Sequence, residues 1–110
     1  MTEIRYTLPF QRQLKQLAKR YRNIKNDIQP TVKELQKGNF VGNQIKGVQQ
    51  TIFKVRAKNT DIPTGKSGGY RIIYQVISGE IVLLLLIYAK SDTANITVQE
   101  IEKIIKETLN

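Results

Sequence analysis

Cysteine, histidine and tryptophan are all missing from the 110 residues, and methionine occurs once. Without cysteine there is no disulfide framework and no thiolate nucleophile, and without either residue a zinc finger has no ligands. Without histidine there is no imidazole acid–base pair. Long apolar runs are scarce as well: the longest, Ile81–Ile87, is far short of the ~20 residues of a membrane-crossing helix. The polar opening Met1–Arg5 has no apolar segment behind it, so no secretory leader is expected. These absences point to a soluble, cytoplasmic protein without membrane contact. Hydrophobic residues make up 40%, enough for a packed core and too many for a disordered chain. The length suits one domain spanning residues 1–110.

Acidic residues are also few, and unevenly so. Up to Lys58, thirteen cations face three acids, a net charge of +10; from Asn59 onward five cations face six acids, a net of −1, together the +9 of the whole chain. A field this lopsided attracts polyanions, nucleic acid above all. The other reading of such charge is plain solubility.

Hydrophobic spacing predicts the order β-α-α-β-β-β-α, an α+β domain with a mainly antiparallel, four-stranded sheet packed by helices. Ile4, Tyr6 and Leu8 alternate up to Pro9, as in a short strand. Phe10, Leu14, Leu17, Ala18 and Tyr21 then repeat at helical spacing, with Arg12, Lys15, Lys19 and Arg22 as the opposite stripe. That stripe is either a solvated outer face or part of a phosphate-contacting surface. A second helix is predicted from an Asp27 N-cap, with Pro30 in its first turn, to Gly38 as the left-handed stop. Residues 39–50 lack a pattern and read as a surface loop packed by Phe40, Val41 and Ile45.

Thr51–Ala57, Tyr70–Ile77 and Glu80–Tyr88 read as strands, the last two joined at Ser78-Gly79. The unbroken apolar run in the third suggests a strand covered on both faces. Thr97 with Glu100 forms a capping box, and Ile96 with Ile101 a hydrophobic staple, at the start of a last helix. Its stripe of Ile101, Ile104, Ile105 and Leu109 is either core packing or a docking site for a partner.

Gly65-Lys66-Ser67 imitates the end of a P-loop, but Thr60 stands where that motif needs glycine and a strand follows where it needs a helix. Nucleotide binding of that kind is therefore excluded. What remains is a glycine-rich connection, either a plain hairpin link or one that carries Lys66 toward a bound anion.

The strongest chemical signal is a ladder of cations. Lys54 and Arg56 lie two apart on a strand and so share a face, and Arg71 opens the next strand. Lys90 closes the following one, just after Tyr88. Like charges this close repel, and an anion in their midst would offset the repulsion. RNA cleavage by 2′-hydroxyl attack needs a base, charge neutralisation at phosphorus and a proton for the leaving oxygen. Arg56 and Arg71 suit the second task. Lys54, Lys90 and Tyr88 are candidates for the others, since an amine crowded by cations gives up its proton more readily. Asp61 and Asp92 are too few and too scattered for a metal nuclease, and no cofactor is expected.

Phe53-Lys-Val-Arg-Ala-Lys58, Gly65-Lys-Ser-Gly-Gly-Tyr-Arg-Ile-Ile-Tyr74 and Leu86-Ile-Tyr-Ala-Lys-Ser-Asp92 together resemble the RelE/ParE toxin superfamily, most closely its RelE and HigB-like branch. The opening Phe10-x-x-x-Leu-Lys-x-Leu-Ala-Lys-Arg-Tyr21 and the element order fit as well. The resemblance implies a RelE-like fold and a type II toxin that cuts mRNA on the ribosome, inhibiting translation. It implies a cognate antitoxin, and operator DNA bound only as the toxin–antitoxin complex. Lys54, Arg56 and Arg71 fall on the superfamily's basic active-site positions, and Lys90 on a basic position after the last sheet strand. Ser91 and Thr97 stand where many ribosome-dependent members carry a further arginine and a catalytic tyrosine. Tyr88, Lys58 and Lys66 are the substitutes at hand. The alternatives are a ParE-like gyrase inhibitor without catalysis and a basic nucleic-acid-binding domain.

Overall fold

The computed structural model describes residues 1–62, 68–93 and 95–109, Leu109 by its backbone alone. Its elements are β1 (Glu3–Tyr6), α1 (Leu8–Arg20), α2 (Ile24–Gln36), β2 (Asn43–Gln44), β3 (Ile52–Ala57), β4 (Tyr70–Ser78), β5 (Ile81–Ala89) and α3 (Val98–Leu109). The sheet has five strands rather than the four expected, in the order β1-β5-β4-β3-β2. It is mixed, because β1 runs parallel to β5 while every other pair is antiparallel. The additional strand, β2, lies in the stretch read as a loop. Two residues are too few to show alternation, so nothing in the sequence marks it.

Two corrections concern the helices. Thr7 leaves the first strand and caps α1, its hydroxyl accepting from Phe10 N at 3.4 Å, so Leu8 is a helical residue with 64% of its surface exposed. Helix α2 begins at Ile24, not Asp27, and Pro30 lies inside it. Asp27 caps nothing: its carboxylate accepts from Thr60 N at 2.8 Å and Thr60 Oγ1 at 2.9 Å. A cap and a tertiary anchor need the same short acceptor, and here the tertiary contact takes it. The helix does end before Gly38, whose φ is +87°.

Both faces of the sheet are covered. Phe10 and Leu17 of α1 and Ile24, Val32 and Leu35 of α2 pack on Tyr70, Ile72, Tyr74, Leu84 and Ile87. On the other face Ile101 and Ile105 of α3 pack on Ile52, Ile73, Leu85 and Leu86, with Ile96 and Ile104 at the margin. The stripe of α3 is thus core packing for these residues; the side chain of Leu109 lies outside the described residues. The capping box is formed, with Glu100 N donating to Thr97 Oγ1 at 3.2 Å.

The pairing of β4 with β5 contains an irregularity that decides where the site lies. Ile73 pairs with Leu86 but Tyr74 with Leu84, leaving Leu85 as an extra residue. A bulge of this kind reverses the side-chain alternation beyond it. Leu84 faces α1 and α2, both Leu85 and Leu86 face α3, and Tyr88 follows them to the α3 side. A second shift, between Val76 and Ser78, leaves Ile77 over, and the hairpin turns on Gly79-Glu80, one residue later than predicted.

Candidate functional site

Register carries the cationic residues together. Arg56 pairs with Arg71 across β3 and β4, and Arg71 with Tyr88 across β4 and β5. The three side chains therefore form a row on the α3 face. On β5, Ile87 N points away from β4 to donate to Gln13 Oε1, and on β3, Ile52 O accepts from Ile45 N on the β2 side. Both bonds make Arg56 and Arg71 a narrow pair without ladder hydrogen bonds between them, the arrangement in which Cα atoms approach to about 4.5 Å. Lys54 shares their face, roughly 7 Å along the strand from Arg56.

The two guanidiniums meet at one atom. Arg56 Nε donates to Gly68 O at 3.2 Å and Arg71 Nη1 to the same oxygen at 3.4 Å, with a second contact from Arg71 to Tyr70 O. Arg56 is exposed, whereas Arg71 and Lys54 are half-buried. Two positive groups held on one carbonyl oxygen mark a position that an anionic oxygen would fill with a stronger, charge-assisted bond.

Gly69 makes this approach possible. Its φ is +96°, and a Cβ there would lie 2.6 Å from Ala57 O and 3.3 Å from Arg56 Nε. Gly69 O accepts from Lys90 N at 2.9 Å, which brings the half-buried Lys90 to the same end of the sheet. The chain leaving β3 is anchored from the opposite side. Besides the Asp27–Thr60 bonds, the carboxylate of Asp61 accepts from Asn23 N at 2.9 Å and from Asn23 Nδ2 at 3.2 Å. Beneath these carboxylates Tyr70 is fully buried. Burial pushes its phenol well above the ordinary value, and the charges of Asp27 and Asp61 push it further.

Tyr88 lies under the row, only 7% exposed, and its hydroxyl finds no hydrogen-bond partner among the described residues. Burial raises its pKa, and the neighbouring Arg71 charge draws it part of the way back.

The remaining candidates are dispersed. Lys58 is exposed just past the end of β3, and Lys66 lies outside the described residues, as does the P-loop imitation around it. Arg12, Lys15 and Lys19 are exposed on α1, which packs against the other face of the sheet, so they do not join the row. Arg12 borders a groove between α1 and α3 together with Glu100 and Lys103. Sequence reasoning missed the Gly68 carbonyl, because a backbone acceptor carries no residue signature. It also missed Asp27 and Asp61 as anchors, and Arg20, whose guanidinium grips Asp92 with contacts of 2.7 and 3.2 Å.

With this geometry in place, comparison with known families is decisive at one level. The family model for the ParE toxin of the type II toxin–antitoxin system parDE matches residues 4–94. The chain belongs to this family. It is accordingly a type II toxin of the RelE/ParE superfamily, a class whose members pair with a cognate antitoxin. The match includes the Lys54–Arg56–Arg71–Tyr88 row and Lys90 and stops short of α3. No curated protein matches the chain. Among the described residues, no helix is long and apolar enough to cross a membrane.

Proposed function

We propose that this toxin is a ribosome-dependent endoribonuclease that cleaves mRNA in the cytoplasm, without a metal, and so blocks translation. The observation that supports the reading is the convergence of Arg56 and Arg71 on a single oxygen, with Lys54 on the same face. A scissile phosphodiester presents two non-bridging oxygens that share one negative charge, stronger acceptors than a carbonyl oxygen. Attack by the 2′-hydroxyl builds further negative charge on those oxygens, and guanidiniums fixed by a sheet stabilise that state without reorganising. Tyr88 keeps its proton across the neutral range, because burial raises its pKa. Protonated, it is a donor and not a base, and its buried hydroxyl reaches the leaving oxygen only once the substrate uncovers it. Of the candidates, Lys54 and Lys90 remain for the 2′-hydroxyl proton, which either takes up in its neutral amine form, becoming the ammonium. Lys58, Lys66 and the α1 stripe of Arg12, Lys15 and Lys19 add attraction to the polyanion that weakens as salt rises. In this reading the partners are the ribosome and mRNA, and operator DNA is bound only in complex with the antitoxin.

A second reading draws on the family description itself. The matching model is that of ParE toxins, and ParE-type toxins act by inhibiting DNA gyrase without cleaving RNA. Two assays separate them. Primer extension on cellular mRNA after induction is expected to show new 5′ ends that vanish in Arg71→Ala, while gyrase supercoiling proceeds unhindered. Intact mRNA with arrested supercoiling would reverse the choice.

A further inference from the structure

Strand β1 covers the outer edge of β5 only from Ile81 to Leu84. There the chain turns into α1, and the edge from Leu85 to Ala89 faces helix side chains instead of a strand. Between them lies a cleft of about 290 Å3, lined by Gln13, Gln16, Leu17 and Arg20 of α1, by Ile87–Ala89, and by Asp92 and Thr93. Its volume is close to the lower bound of the ~300 Å3 and upward found for small-ligand clefts.

We propose that this cleft is a nucleobase subsite, holding the base of a nucleotide next to the phosphate on the Arg56–Arg71 pair. The inference rests on the reading of that pair as an RNA-phosphate site. Tyr88 is common to both places: it ends the row that starts at Arg56 and also lines the cleft. Strands β3 and β5 are two strand spacings, roughly 10 Å, apart. The row lies on the face of α3 and the cleft at the β5 edge against α1, so the nucleotide would reach round that edge at Tyr88.

The chemistry of the walls fits an uncharged heterocycle better than a second phosphate. The charged groups are spent on each other: Arg20 binds Asp92 through two nitrogens, donates to Tyr21 Oη at 2.8 Å and stacks 4.9 Å over the Tyr21 ring. A free phosphate would meet the Asp92 carboxylate. Gln13 is fixed by accepting from Ile87 N at 3.2 Å, which leaves its Nε2 to donate. Gln16, exposed one turn along the helix, adds a donor and an acceptor side by side, the pairing that reads the edge of a base. Leu17 and Ile87 supply an apolar floor for the ring.

The test is a titration of isotope-labelled full-length protein, followed by NMR, with inorganic phosphate and with each of the four ribonucleoside monophosphates. Phosphate is expected to move signals of Lys54, Arg56 and Arg71 alone. The mononucleotides are expected to move in addition the side-chain amides of Gln13 and Gln16 and the backbone of Ala89 and Thr93, with unequal affinities for the four bases. In the double variant Gln13→Glu/Gln16→Ala, which keeps an acceptor for Ile87 N, the preferred mononucleotide should bind about tenfold more weakly, the worth of one good base contact. Phosphate binding should be unchanged. Mononucleotides that move only the arginine pair, with equal affinity, overturn the subsite and leave the phosphate reading intact. A cleft that responds to the antitoxin but to no mononucleotide likewise overturns it, in favour of a protein-binding edge. If phosphate and mononucleotides move nothing, the phosphate reading falls as well.

Discussion

The two faces of the sheet solve different problems. One is sealed by α1 and α2, with Phe10, Ile24, Leu35, Ile72 and Tyr74 fully buried between helices and strands. The other is closed by α3 alone, and its ends differ. Ile101 and Ile105 cover Ile73 and Leu85, whereas Lys54, Arg56 and Arg71 remain accessible beyond them. Stability is concentrated on the first face, and the proposed chemistry at the open end of the second. Strands β3, β4 and β5 serve both at once, since alternate residues of one strand belong to opposite faces.

That division can be broken from either side. The largest effect is expected from alkali on the sealed face. Tyr70 and Tyr74 have phenols raised above the ordinary value of 10 chiefly by burial. A group raised in the folded state adds stability that is complete below the unfolded pKa and declines as pH climbs above it. The phenolate absorbance of Tyr70 and Tyr74, taken as the difference between the parent protein and Tyr70→Phe or Tyr74→Phe, should therefore appear together with loss of circular dichroism above pH 10. Next, Phe10→Ala should cost about 3–5 kcal/mol in denaturant unfolding, as for other fully buried aromatics. On the open face, Arg71→Ala should lower mRNA cleavage by about 10²–10³-fold, the usual loss for one charge-stabilising donor. Its melting temperature should stay close to that of the parent protein; a large fall would mean that the row is structural. Gly69→Ala should strain the approach to Ala57 O and displace Arg56, costing about 1–3 kcal/mol and weakening phosphate binding. Smallest is Thr97→Ala, where loss of the cap should cost about 1 kcal/mol, read as fraying of α3 by hydrogen exchange.

Much of this division was legible beforehand. Alternation along Thr51–Ala57 separated Phe53 and Val55 from Lys54 and Arg56, and the helical spacing of α1 marked its inner stripe. The capping box located α3 because Thr97 and Glu100 are three apart and their side chains bond within the pair. Elsewhere the deciding partner was remote. Asp27 carries the same signal whether it caps a helix or holds Thr60, and only the fold places Thr60 within reach. The parallel seating of β1 depends on Thr2 N meeting Gln36 O and on Glu3 N meeting Glu80 O, contacts between parts of the chain remote in sequence. The run Leu83–Leu86 is uniform, so it hides where the strand slips by one position. Part of the candidate site is backbone, and Gly68 O has no counterpart in any side-chain pattern.

That slipped leucine has an evolutionary and engineering consequence. Because Leu85 is supernumerary on its strand, deleting it would restore a regular ladder at the loss of one buried side chain beneath α3. Such a deletion would leave the later residues facing as they do now, Leu86 toward α3, Ile87 toward the first helices and Tyr88 still opposite Arg71. A single-codon loss at Leu85 would thus spare the row, whereas the same loss at Ile87 would carry Tyr88 to the opposite face, away from Arg71.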